Sequence, residues 1–200
     1  MRLGRRLRRK RVLIPLAVLL SILVVVWVLS LTGLILTGYA QGTFSMAPTL
    51  PGCNGRHLDE DFTYRFRDPH RGEIILFHAR GQVGGTIVPD PHSHQLGITK
   101  RVIGIPGDTV VGHGGLVYVN GKKVDDIPTD SFPSVHLEKG EYYVLGDNRS
   151  ASEDSRVFGP VPRKAIYGRV VLVFWPLSRF GVPGYNKHLK PPGVLCGAAP

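Results

Sequence analysis

The sequence predicts a mostly β protein, in which one N-terminal transmembrane helix precedes an antiparallel β-sheet domain with a small β-hairpin insertion. Three observations predict this fold. Residues 12–38 are an uncharged apolar run of 27 residues, and a helix needs about 20 such residues to cross a bilayer. The 200 residues include 25 glycines and 16 prolines, which favours short strands and turns. After residue 40 the apolar runs are short, and none has a helical period longer than a turn or two.

The N-terminal apolar run has an asymmetric charge on its two sides. Seven of the first eleven residues are basic, and no acidic residue occurs before Asp59. The positive-inside rule places such a basic flank in the cytoplasm. We therefore expect residues 1–11 to be a cytoplasmic tail and residues 12–38 a single-pass anchor in the cell membrane. The domain that follows is expected to be extracytoplasmic.

A cleavable signal peptide is the alternative to an anchor. Its apolar core would be about 7–15 residues long, roughly half the length of this run. Cleavage after the small-x-small residues 38–40 would give a mature chain that begins at Gln41. Length favours the uncleaved anchor, and protein sequencing of the N-terminus distinguishes the two.

The net charge of +10 does not indicate a nucleic-acid partner. Without the seven N-terminal basic residues, 18 basic residues face 15 acidic ones, a balance of +3. A nucleic-acid surface requires a clustered basic patch, and the rest of the chain has none. We therefore expect no nucleic-acid partner.

The segments of the expected domain, residues 39–180, have mostly strand patterns. Residues 72–79 and 98–108 are apolar runs rich in β-branched residues, and the second ends in a Pro-Gly-Asp turn. Residues 115–126 alternate around Asn120-Gly121, a strong hairpin signal, within a predicted insertion over residues 109–141. Two further segments read as a strand that continues into a polar loop and a strand closed by proline; they are residues 140–156 and 165–177. Residues 81–97 predict an exposed loop or a loose hairpin, and residues 181–200 an irregular tail.

Several kinds of site receive little support from the residues. The eight histidines occur mainly in polar turns, which disfavours a Ser-His-Asp triad. His92 and His94 have no third ligand at a suggestive spacing, so no metal is expected. Cys53 lies in a turn, which disfavours a cysteine nucleophile, and the sequence leaves open whether it pairs with Cys196.

A serine with a lysine base is the remaining hydrolytic chemistry. A lysine serves as a base near neutral pH only if burial lowers its pKa from about 10.4. Lys100 lies in the apolar context GITKRVIGIPG. In a strand it shares a face with Ile98 and Val102, and Arg101 points the other way. A solvated strand-edge lysine is the common alternative, and this pattern alone does not exclude it.

Four motifs in order resemble the blocks of type I signal peptidases, which are membrane-bound Ser/Lys enzymes. They are SMAPTL (45–50), RGEIILF (71–77), KRVIGIPGD (100–108) and GDNRSASEDSR (146–156). The resemblance implies a signal-peptidase-type sheet domain. It also implies a serine endopeptidase that removes signal peptides from exported preproteins after Ala-x-Ala-like sites, through an acyl-enzyme. The implied partners are preproteins, the lipid bilayer and, transiently, the export machinery; no cofactor is implied.

The resemblance also assigns roles to residues. Ser45 matches the nucleophile, Lys100 the general base and Ser152 a serine that positions the lysine. Thr43 and the Ser45 amide match the oxyanion hole. Residues matching structural support are Arg101, Asp147, Asn148, Arg149, Asp154 and Arg156, and residues placed at the substrate pocket are Met46, Ile98 and Thr99.

The chain departs from the family pattern at three positions. Gly42 stands where proline is common, Glu73 replaces an aspartate, and Thr99 precedes the lysine where an apolar residue is usual. Two alternatives remain: a peptidase of the same clan dedicated to one precursor, and an inactive anchored paralogue that acts in binding or assembly. Retention of all four residues that match the catalytic roles argues against the inactive paralogue; they are Ser45, Lys100, Thr43 and Ser152.

Overall fold

The computed structural model describes residues 15–27, 37–40, 43–52, 55–83, 86–93 and 96–184. Residues 15–27 are helical. Within the described ranges no helix has both the length and the apolarity of a membrane span, so the predicted anchor is not confirmed. At the predicted end of the anchor, Thr37 and Gly38 belong to a strand, where they pair with Asp59 and Leu58.

Twelve strands and several short helices make up the rest of the described chain. The strands are β1 (Thr37–Ala40), β2 (Arg56–Glu60), β3 (Ile74–Val83), β4 (Thr86–Pro89), β5 (Leu96–Gly104), β6 (Thr109–His113), β7 (Leu116–Val119), β8 (Lys122–Lys123), β9 (Phe132–His136), β10 (Glu141–Leu145), β11 (Val161–Pro162) and β12 (Ile166–Trp175). One α-helical turn covers Ser155–Phe158, and 3₁₀ turns cover Thr63–Arg65, Arg149–Ala151, Arg163–Ala165 and Leu177–Arg179.

Eight of the strands form one antiparallel sheet, which we call the catalytic sheet. Seven of them follow the order β1-β2-β12-β3-β5-β10-β11. The eighth strand, β4, pairs with β3. The mostly β, antiparallel fold predicted from the sequence is confirmed. Consecutive strands such as β1 and β2, or β3 and β4, also lie side by side, as is usual for antiparallel connections.

The other four strands form a smaller sheet in the order β8-β7-β6-β9, which we call the insertion sheet. The predicted turn joins β7 to β8. Asn120 has φ 51° and Gly121 has φ 75°, the left-handed pair that a type I′ turn requires. This sheet contributes Val110, Val117 and Val119 to a buried cluster that also contains Ile103, Tyr143 and Leu145 from the catalytic sheet.

Within the described part of the segment 81–97, two strands pair as in a hairpin, which was one of its two predicted conformations. Strand β3 continues past the predicted end at residue 79 to Val83, and β4 returns antiparallel to it. His94 lies outside the described residues. So do both cysteines and residues 185–200 of the predicted tail, whereas Gly181 forms a two-bond bridge with Val173.

Two apolar clusters cover opposite faces of β3 and thereby fix the sheet at its centre. One, the Phe77 cluster, includes Ile75 and Phe77 with Val102. The other, the Met46 cluster, includes Ile74 and Leu76 with Met46, Leu50, Val170 and Val173. Alternate residues of one strand are therefore buried on both sides, as expected where both faces of a sheet are covered.

Candidate active site

Strand β5 carries Lys100 in the middle of the catalytic sheet. Lys100 lies opposite Ile75 of β3, on the face where Ile98 and Val102 pack with the Phe77 cluster. The predicted alternation is therefore confirmed, and the lysine is only 5% exposed. The alternative of a solvated strand-edge lysine is wrong for this residue.

Ser45 faces this lysine from a compact turn. Lys100 Nζ donates a hydrogen bond of 2.8 Å to Ser45 Oγ, and the serine is also only 5% exposed. Backbone bonds from Ala47 to Phe44 and from Leu50 to Met46 close the turn. Met46 and Leu50 anchor it in the Met46 cluster, so apolar packing holds the serine hydroxyl against the amine.

Burial lowers the pKa of Lys100 to about 8. Desolvation is the main cause, because an ammonium group loses its water shell in an apolar site. The charges of Asp154 and Glu153 oppose the shift but do not cancel it. Among the described residues no carboxylate lies within ion-pair distance of Lys100, which leaves the amine partly neutral near pH 8.

Thr43 lies beside the serine, two residues before it. Its Oγ1 is 3.2 Å from Ser45 Oγ, and either hydroxyl can donate. Thr43 is exposed whereas Ser45 is buried. A hydroxyl thus stands at the solvent side of Ser45, with the amine of Lys100 on the buried side.

The polar loop of residues 146–156 packs directly on the backbone of Ser45. The Asn148 N–H donates to the Ser45 carbonyl at 3.0 Å. At Gly146 an added Cβ would lie 2.5 Å from the Ser45 carbonyl oxygen and 2.2 Å from Ser152 Oγ. Only glycine permits this approach, so the loop and the turn of Ser45 form one packed unit.

Arg101 points away from Lys100 and joins β5 to the same loop. Its Nε and Nη2 donate to Asp147 at 2.7 and 2.6 Å, and its Nη1 donates to the Gly72 carbonyl at 2.6 Å. Both charged side chains are almost fully buried. A bidentate pair of this kind fixes orientation as well as charge.

Asp154 and Arg156 form a second ion pair within the loop. Asp154 accepts from the Gly146 N–H at 2.9 Å and from Arg156 Nε at 2.8 Å. Arg156 also donates to the carbonyls of Arg149 and Ser152. The six predicted support residues therefore lie together around the turn of Ser45, although the sequence did not show which of them pair.

Two predicted residues occupy unexpected environments. Ser152 Oγ is buried and has no hydrogen-bond partner within the described part of the chain, so the predicted bond to Lys100 is not formed. Met46 is fully buried in its cluster, because the turn uses it as an anchor, and it does not line an open pocket. Ile98 and Thr99 are half-buried.

Glu73, one of the departures from the family pattern, supports the outer part of the sheet. It accepts from Tyr64 Oη, the His70 N–H and Arg67, and these donors hold its pKa at about 2 against the effect of burial. The longer side chain thus has a complete set of partners away from Ser45.

In the described ranges no group of three or more His, Cys, Asp or Glu side chains converges as metal ligands do.

Asp125 was missed by the sequence reasoning. It is 1% exposed and pairs with Arg149 of the 146–156 loop at 2.5 Å. In the sequence it lies in VDDIP, where the two adjacent aspartates read as turn residues. The only available signal was its position between two apolar residues, Val124 and Ile127.

Comparisons with known proteins show which family the chain belongs to. A protein-family model described as "Signal peptidase, peptidase S26" matches residues 13–175. "Probable signal peptidase I-2" of Synechocystis sp. is 41% identical over 143 residues, covering 69% of this chain and 62% of the relative. "Signal peptidase IB" of Staphylococcus aureus (strain COL) is 33% identical over 187 residues, covering 81% and 90%.

A solved structure of a signal peptidase I from Enterococcus faecalis V583 is 29% identical to this chain. It aligns with a TM-score of 0.40 and covers 52% of this chain and 97% of its own. "Signal peptidase I" of Leptolyngbya laminosa is 40% identical over 145 residues, covering 70% of this chain and 69% of the relative. The chain thus spans a little under two thirds of the Synechocystis relative and more of the others.

Proposed function

The chain belongs to the peptidase S26 family of signal peptidases, and from this premise we propose that it is a signal peptidase I. It is a serine endopeptidase that removes N-terminal signal peptides from exported preproteins. The observation that carries the proposal is the 2.8 Å contact between Lys100 Nζ and Ser45 Oγ in a buried site. A nucleophile needs a group that accepts its proton, and a lysine with a lowered pKa is such a group.

The reaction proceeds in two halves with Lys100 as the proton carrier. Neutral Lys100 takes the proton of Ser45 as Oγ attacks the scissile carbonyl carbon. The C–N bond then breaks, and the lysine gives that proton to the leaving amine. In the second half Lys100 takes a proton from a water that attacks the acyl-enzyme ester. It returns this proton to Ser45 Oγ as the acyl group leaves.

Thr43 and the Ser45 backbone N–H stabilise the oxyanion. The Thr43 hydroxyl already lies 3.2 Å from Ser45 Oγ, close to where the carbonyl oxygen of a tetrahedral intermediate develops. Removing one such donor typically raises the barrier by about 3–4 kcal/mol. Thr43→Val, which keeps the shape and removes the hydroxyl, should therefore slow turnover while the fold is kept.

The substrate binds as an extended strand with small residues at its Ala-x-Ala-like site. Half-buried Ile98 and Thr99 of β5 are the nearest predicted pocket residues, two and one positions from Lys100. The apolar run before β1 anchors the enzyme in the cell membrane, with the basic N-terminus in the cytoplasm and the catalytic sheet outside. Such tethering raises the effective concentration of enzyme at a membrane-held signal peptide.

Cleavage of a fluorogenic Ala-x-Ala peptide by the full chain in detergent tests the proposal. Wild type should cut, and Ser45→Ala and Lys100→Ala should each lose at least about a thousandfold in kcat. Lys164→Ala, which changes an exposed lysine in the 3₁₀ turn before β12, is the matched control and should cut normally.

Other outcomes identify the alternatives. If the wild type cuts no peptide, the inactive paralogue is the remaining alternative. Full activity of Lys100→Ala near pH 7 would exclude Lys100 as the base for Ser45. Cleavage of one precursor among a panel of unrelated signal peptides would indicate a dedicated peptidase.

A further inference from the structure

The segment after β8, residues 125–129, contacts the loop that packs on Ser45. We call it the brace. Asp125 at its start accepts from Arg149 Nη2 at 2.5 Å and from Nη1 at 3.3 Å. Both side chains are nearly fully buried. A buried carboxylate and guanidinium held in this way fix each other's position, because either one alone would be an uncompensated charge.

The brace makes two further contacts with the same loop. The Ile127 carbonyl accepts from Arg149 Nη1 at 3.4 Å. Thr129 Oγ1 accepts from Arg156 Nη1 at 3.1 Å. Asp125 is itself held by the Ile127 N–H at 3.0 Å. The two arginines of the loop are therefore both attached to one short segment between β8 and β9.

From Arg149 a short series of bonds leads to the nucleophile. Arg149 Nε donates to the Gly146 carbonyl at 3.1 Å, and Gly146 lies in close contact with the Ser45 carbonyl. The Asn148 N–H, next to Arg149, donates to that same carbonyl at 3.0 Å. Arg149 is thus bonded to the same stretch of the loop, residues 146–148, that contacts the Ser45 carbonyl.

We propose that Asp125 is a positioning residue for the peptidase reaction, acting through Arg149 on the loop that holds Ser45 opposite Lys100. The inference rests on the proposed function and adds a role for the insertion sheet, which presents the brace. Without the Asp125 charge, Arg149 loses its fixed orientation and the Gly146 carbonyl loses a donor. Ser45 then spends less time at hydrogen-bond distance from Lys100.

Asp125→Asn tests the proposal, and Asp126→Asn is the matched control. Asp126 is the neighbouring aspartate, half-exposed and paired with Lys123 at the surface. At a temperature where circular dichroism shows every variant folded, Asp125→Asn should lower kcat by about tenfold or more and change KM by less than about threefold. Asp126→Asn should match wild type. A folded Asp125→Asn with kcat within twofold of wild type overturns the proposal, as does a change in KM alone.

A double-mutant cycle on kcat separates positioning from a general loss of stability. If Asp125 acts through Arg149, adding Asp125→Asn to Arg149→Gln should lower kcat by less than about twofold more, because coupled residues are not additive. Full additivity of the two kcat effects in folded variants contradicts the proposed route.

Asp125→Glu keeps the proposal testable if Asp125→Asn does not fold. It keeps the buried charge but moves the carboxylate by one methylene, which displaces Arg149, and it should lower kcat about threefold to fivefold in the folded variant. An unchanged kcat would then overturn the proposal. Failure of the proposed function gives a different result, since wild type itself would not cut.

Discussion

The two faces of strand β5 carry adjacent buried cations with opposite surroundings. Lys100 is 5% exposed, contacts the hydroxyl of Ser45 and has no carboxylate in ion-pair distance among the described residues. Arg101 is fully buried and is paired with Asp147 through two hydrogen bonds. One backbone step thus separates a cation without a counter-charge from a cation that is fully compensated.

The difference shows how burial can serve either chemistry or structure. Desolvation lowers the pKa of a basic group when no anion compensates it, and at Lys100 this favours the neutral amine that the proposed reaction requires. At Arg101 a bidentate carboxylate replaces the lost water, and the pair joins β5 to the 146–156 loop. The partner, rather than the depth of burial, decides which role a buried cation has.

The largest expected effect comes from replacing Lys100 by arginine, so that both faces of β5 carry a guanidinium group. Lys100→Arg should lower kcat/KM by more than about a thousandfold, because a guanidinium remains protonated and cannot accept the proton of Ser45. Peptide cleavage at pH 8 measures it. The reciprocal control, Arg101→Lys, keeps the base and should lose much less activity. Similar losses in the two variants would contradict the distinction between the faces.

Removing the counter-charge of Arg101 should instead affect folding. Asp147→Asn leaves a buried guanidinium uncompensated, and breaking such a pair typically costs about 3–5 kcal/mol in the free energy of unfolding. Urea denaturation followed by circular dichroism measures this loss. Asp126→Asn, which breaks the surface pair with Lys123, is the control and should cost far less, because water screens an exposed ion pair. Equal losses would mean that burial does not matter to these pairs.

Removing the charge of Lys100 should instead increase the free energy of unfolding. Lys100→Met should raise the free energy of unfolding at pH 7 by on the order of 2 kcal/mol, since a group with a lowered pKa opposes folding while it is protonated. Below about pH 8 the lysine is charged in both states, so the gain is complete there. Between pH 8 and 10.5 the unfolded chain binds more protons, wild-type stability rises with pH, and the gain shrinks. A loss of stability in Lys100→Met at pH 7 would contradict this account.

The pH dependence of cleavage is a smaller test of the same face. Only neutral Lys100 accepts the proton, so kcat/KM should fall about tenfold for each pH unit below the pKa of about 8 and level off above it. The charge of Glu153 raises that pKa. Glu153→Gln should therefore lower the pH at which kcat/KM begins to fall. Measurement of kcat/KM from pH 5 to 10 for both proteins checks the prediction, and a flat wild-type profile would exclude lysine as the base.

The parts of the fold that depend on local sequence were predictable. Asn120-Gly121 marks its turn because few residues other than Asn, Asp and Gly accept the left-handed conformations required there. The face of Lys100 followed from the two-residue period of a strand and its apolar neighbours. The order of four motifs then suggested which serine faces this lysine.

The parts that depend on contacts between distant segments were not predictable. Asp125 and Arg149 are 24 residues apart and both lie in polar sequence, so their burial results from two loops that meet. Met46 lies next to the nucleophile, yet its side chain enters the core because the turn reverses there. The start of β1 was likewise not predictable, because Thr37 and Gly38 continue the uncharged run and no charged residue separates them from it.

The contact at Gly146 has a consequence for how this enzyme varies by mutation. Every single-base change that replaces glycine by another amino acid adds at least a Cβ, and here a Cβ would overlap both the Ser45 carbonyl and the Ser152 side chain. Gly146 has no positive φ that would account for glycine on conformational grounds, so the constraint is one of space. Random mutagenesis selected for cleavage should therefore leave the residue Gly146 unchanged, while substitutions accumulate at the exposed neighbours Ser150 and Ala151.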